Sequence, residues 1–139
     1  MDIADVKKKV AGAMLRARNR AAERRARTDS AARAYEVFLE RIAMPLFRQV
    51  ANVLRAEGYV FDVFTPAGSV RLMSERNGDD YIELVLETSG DEPMVIGRTS
   101  RRRGHRTLQT ETAIGDPEAL GEDDVLAFVV KALEPFVER

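Results

Sequence analysis

Short links between β-like runs are what most limits how this chain can fold. Runs of alternating or continuous apolar character cover Tyr59–Thr65, Val70–Glu75, Tyr81–Thr88, Met94–Thr99 and, less regularly, Thr107–Ile114. They are separated by Pro66-Ala67-Gly68-Ser69, Arg76-Asn77-Gly78, Ser89-Gly90-Asp91-Glu92-Pro93 and a basic stretch at 100–106. A parallel crossover needs about a dozen residues or more, so links this short predict an antiparallel meander of four or five strands. Register can be read at one hairpin. A two-residue Asn77-Gly78 turn would oppose Leu72 to Glu83 and mix the two faces. A three-residue loop, with Gly78 left-handed, instead opposes Leu72 to Ile82, Val70 to Leu84 and Arg71 to Glu83, and is preferred.

Helices flank the meander. Tyr35, Phe38, Ile42, Leu46, Val50 and Leu54 recur at helical spacing, and Gly58 suits the left-handed residue that closes a helix. Pro45 lies inside this stretch and predicts a kink near residues 41–45. Upstream, Ile3, Val6, Val10, Met14, Ala17 and Ala21 form a narrower stripe on an Ala- and Arg-rich segment. It fades to alanine and then meets Arg24 and Arg25, so a helix here buries little and needs a partner for stability. Thr28-Asp29-Ser30 reads as a break or a fresh helix start. At the other end, Glu122-Asp123-Asp124 opens a helix through about Val137, whose face carries Val125, Leu126, Val129, Val130, Leu133, Phe136 and Val137. The expected fold is α+β: a long, kinked or broken N-terminal helix, a meander, and a C-terminal helix on the same sheet face. Its expected division is a helical arm over 1–29 and a two-layer domain over 30–139.

Charge is split along the chain. Residues 1–33 hold ten basic and four acidic side chains, a net of +6, while the rest hold twelve and nineteen, a net of -7. Such an arm attracts a polyanion or an acidic protein surface. A nucleic-acid reading assigns Lys7, Lys8, Lys9, Arg16, Arg20, Arg24, Arg25 and Arg27 to phosphate contact, joined by Arg101, Arg102, Arg103 and Arg106. No aromatic residue precedes Tyr35, so bases would find nothing to stack on among the arm's cations.

Exclusions narrow the chemistry. Zero cysteines remove disulfides, thiolate metal sites and cysteine nucleophiles, and a single His105 leaves only carboxylates as further metal ligands. No glycine-rich phosphate loop or nucleophile elbow is present. Glu83 and Glu87 share a strand face, and with His105 they are the groups on which an enzymatic reading, ranked third, would rest. No cofactor, catalytic residue or metal ligand is assigned. No run of about 18 apolar residues occurs, so a cytoplasmic protein is the expectation.

Strand parity carries the preferred reading. With Leu72, Ile82, Leu84, Leu86 and Ile96 turned toward the helices, Phe64, Met73, Tyr81, Val85 and Val95 form an outer face too apolar for a wet surface. Together with Ile3, Val6, Val10 and Met14 they predict a non-catalytic interaction or oligomerisation module, its partner a second copy or another protein.

Overall fold

The computed structural model describes residues 1–138 of the chain. Helix α1 runs from Ile3 to Phe38, capped by the Asp2 side chain, which accepts the Ala4 N–H at 3.0 Å. It passes through one wide π turn (Leu39–Ala43) into α2 (Met44–Ala56). The expected break at 28–30 is absent. Between Gly12 and Pro45 no glycine or proline interrupts the helix, and Ser30, rather than capping a new one, donates from its hydroxyl to Glu118 Oε1 at 3.1 Å. Pro45 acts where expected and leaves a π turn just before it. The Met44 N–H donates to the Leu39 carbonyl, five residues back. A widened turn takes up the missing proline N–H and the ring's bulk without ending the helix. At the C-terminus Gly58 has φ +91°, and the Tyr59 N–H reaches the Leu54 carbonyl at 2.8 Å, closing a Schellman turn.

Five antiparallel strands follow in spatial order: β1 (Phe61–Phe64), β2 (Ser69–Ser74), β3 (Tyr81–Glu87), β4 (Met94–Arg103) and β5 (Arg106–Gly115). The β2–β3 register sets Leu72 against Ile82, Val70 against Leu84 and Arg71 against Glu83, as expected. The turn that produces it differs. Gly78 is not left-handed; the Asn77 side chain accepts the Asp79 N–H and its carbonyl the Asp80 N–H, so an Asx turn makes the reversal. The expected basic loop at 100–106 is mostly strand. β4 and β5 continue to a two-residue Gly104-His105 turn, and the last run becomes ten residues of strand, paired with β4 at every position but Ile114.

Helices α2 and α3 (Glu122–Val137) lie on one face of the sheet, α2 over β1 and β2, α3 over β3 to β5. Phe47, Val70, Leu72, Ile82, Leu84, Val95, Val125 and Val129 are completely buried between them. Tyr35 ties the long helix to this layer, its hydroxyl donating to the carbonyls of Gly68 (3.0 Å) and Leu84 (3.2 Å). Burial, and secondarily the nearby Glu83 charge, push its phenol well above the ordinary tyrosine value. Gly97 is required by close approach: a Cβ there would sit 2.3 Å from Phe128 Cζ on α3.

One parity assignment is corrected. Val95 lies on the helix side, opposite Leu86, and is fully buried, whereas Ile96 pairs with Val85 on the open face. Two adjacent apolar residues follow a five-residue link, so alternation alone could not choose between them.

Candidate functional site

The N-terminal fifth of the chain, Met1–Arg27, is almost entirely open to solvent. Every side chain from Met1 to Ala11 and from Ala13 to Arg20 is exposed, as are Ala22 to Arg27. At 1.5 Å per residue, Ile3–Arg27 projects as roughly 38 Å of single helix. Its apolar stripe is open to solvent: Ile3 is 81% exposed, Val6 42%, Val10 52% and Met14 51%. Lys7, Lys8, Lys9, Arg16, Arg18, Arg20, Arg24, Arg25 and Arg27 are exposed too, and among the described residues none joins an ion pair. The arm's root meets acids: Arg27 and Ser30 border a hollow with Glu92, Asp116 and Glu118.

The open sheet face is less greasy than alternation implies. A row of alternating charge, Arg71, Glu83, Arg98 and Glu111, crosses its centre through directly opposed residues. Arg71 Nη2 and Nε both lie 2.7 Å from Glu83 Oε2, and Arg98 Nε donates to Glu111 Oε1 at 2.9 Å. The Arg71 guanidinium also stacks 4.0 Å above the Tyr81 ring. Glu83 is only 4% exposed, so this part of the face is a satisfied structural network. Phe64 ends the row, 44% exposed. Met73 and Tyr81 lie on one side of it and Val85 and Ile96 on the other, all half-buried. The proposed patch is therefore divided by charge, and Val95 is no part of it.

The groups of the enzymatic reading stay apart. Glu83 and Glu87 are four strand residues apart, about 13 Å, too far for a shared proton or water. Glu87 accepts the Ser89 N–H at 3.0 Å, and the Ser89 hydrogen bonds hold its carboxyl below the usual range. His105 sits at the exposed β4–β5 tip. Among the described residues no three metal-ligating side chains cluster, and no helix is long and apolar enough to cross a membrane.

The two basic clusters are separated as well. The arm leaves beside Glu118, just beyond the Gly115 end of β5, whereas Arg103 and Arg106 flank the opposite end, about 30 Å along the strand. Arg102 is already engaged: its N–H donates to Asp80 Oδ1 at 2.7 Å and its guanidinium lies 3.9 Å from Asp79. Strand alternation sends Arg101 and Arg103 to the helix side and Arg102 to the open side.

No family model, curated protein or solved structure matches the chain.

Sequence reasoning missed the β5 edge. β5 is the last strand of the sheet and is exposed from Arg106 to Ala113. Beside it, between β5 and α3, lies a groove of about 650 Å³ lined by Thr110, Thr112, Ile114, Phe128, Lys131 and Ala132. The signal for β5 is the β-branched Thr107, Thr110 and Thr112 after a Gly-centred turn, set beside four arginines.

Proposed function

We propose that this chain is a non-catalytic protein-interaction and oligomerisation module that docks through its projecting helix. One observation carries the reading: about 25 residues of helix expose an apolar stripe that nothing among the described residues covers. A lone helix in water gains its stability mainly from burying such a face, so a partner surface completes it. Net charge selects the partner. Two copies of residues 1–33, at +6 each, repel, whereas an acidic surface, including the -7 remainder of a second copy, attracts.

The test is amide exchange of residues 3–27 in the full chain, measured with the mass across concentration and salt. Protection that grows with assembly, and is lost in the Val10→Glu/Met14→Glu double variant, is expected. An arm that exchanges freely at every concentration, alone and with acidic protein partners, would remove the reading. Nucleic-acid binding is the second reading, favoured by the arm's unpaired cations. It requires affinity for an oligonucleotide that falls steeply with salt, and no binding at low salt ends it.

A further inference from the structure

We propose that β5 pairs antiparallel with β5 of a second copy, about a twofold axis at Thr110, joining two sheets into one of ten strands. This surface is separate from the projecting helix and stands without it.

Edges are normally protected, and this one is not. β1, at the other edge, has four residues and is followed closely by Pro66. β5 has ten, with no proline or lysine, and its one ladder irregularity lies beyond Ala113. A long strand with open backbone groups is a template for another strand. The two-residue turn makes Arg103 and Arg106 a hydrogen-bonded pair, so alternate residues Thr107, Gln109, Glu111 and Ala113 turn their N–H and C=O groups outward.

Self-pairing about Thr110 matches those four positions with one another. Gln109 then faces the second copy's Glu111, and Thr107 faces its Ala113. Centring on Glu111 would oppose two like carboxylates directly. On the helix side, Leu108, 41% exposed, comes opposite the other copy's Thr112 and reaches its groove beside Phe128.

Charge supports the same register. The Arg103–Arg106 end of one copy arrives beside the other's Ile114-Gly115-Asp116 segment, near Glu118 and the Asp123 and Asp124 carboxylates that border the groove. The roots of the two arms, near the Gly115 ends, lie about 30 Å apart along the seam, several screening lengths at physiological salt.

Velocity sedimentation of the full chain at tens of micromolar is expected to give twice 15.6 kDa. Gln109→Pro removes an outward N–H while sparing the β4 ladder, and is expected to halve the mass with an unchanged far-ultraviolet spectrum. The chain has no cysteine, which makes cross-linking a clean second test. Thr110→Cys places two thiols across the axis at a spacing of about 4.5 Å between Cα atoms, and mild oxidation should yield a covalent dimer. Thr107→Cys, about 20 Å from its mate in this register, should not. If Gln109→Pro fails to fold, the two cysteine variants decide. A monomeric wild type up to millimolar concentration overturns the proposal, as does equal cross-linking of both variants. A dimer that survives Gln109→Pro but dissociates in the Val10→Glu/Met14→Glu variant also overturns it, and leaves self-association to the arm.

Discussion

Replacing Gly97 by alanine should expose how tightly α3 is seated. The added methyl would meet three Phe128 ring carbons at 2.3, 2.5 and 2.7 Å. Ordinary carbon contacts lie near 3.5–4.0 Å, so the ring or the helix must move by about 1 Å. Neither moves freely, because Val125 and Val129 on the same helix are completely buried. Overpacking of this kind costs about 1–3 kcal/mol, offset by roughly 0.4–1 kcal/mol from the stiffer unfolded chain. A net loss of about 1–2 kcal/mol is expected, which lowers Tm by roughly 3–7 °C in a domain of this size. Urea unfolding at fixed protein concentration should show a lower midpoint with an unchanged slope. Adding Phe128→Leu should recover most of the loss, giving a favourable coupling of about 1 kcal/mol. A neutral Gly97→Ala, or a double variant no better than the sum of its parts, would refute this account of the sheet–helix contact.

Three further outcomes follow from the same contacts. Tyr35→Phe removes the hydroxyl from two carbonyls and should cost about 1–2 kcal/mol in urea unfolding. Because the folded-state value of Tyr35 lies above the unfolded value of 10.0, its contribution is complete below pH 10 and lost as pH rises beyond. The wild type should therefore lose stability above pH 10 more steeply than Tyr35→Phe, and parallel curves would disprove the assignment. Arg71→Ala leaves the Glu83 carboxylate buried without its cation and should cost about 3 kcal/mol, measured the same way, with the Arg71→Ala/Glu83→Gln pair less affected.

The helical stretches, the antiparallel order and the β2–β3 register are written locally. Periodicities of 3.6 and 2, short links and Gly58 are properties of neighbouring residues, and the opposition of Leu72 to Ile82 follows from matching two apolar patterns. That match held although the turn joining the strands was a different one, because burying one face constrains register more strongly than turn chemistry does. The stripe Ile3, Val6, Val10 and Met14 was legible for the same reason, and the structure leaves it exposed.

Tertiary structure alone decided the rest. Whether Val95 or Ile96 turned inward depended on how β4 docked against β3, and either choice satisfied local alternation. The opposition of Glu83 to Arg71 was legible in the register, but the burial of that carboxylate, 4% exposed, was not, because it depends on the strands packed to either side. Thr107, Thr110 and Thr112 mark β5 as a strand, but its place at the sheet's edge is set by the strand order, in which β4 is its one neighbour among the described residues. Local energetics select the conformation of a segment. Which faces remain uncovered is set only when all segments compete for the same buried space.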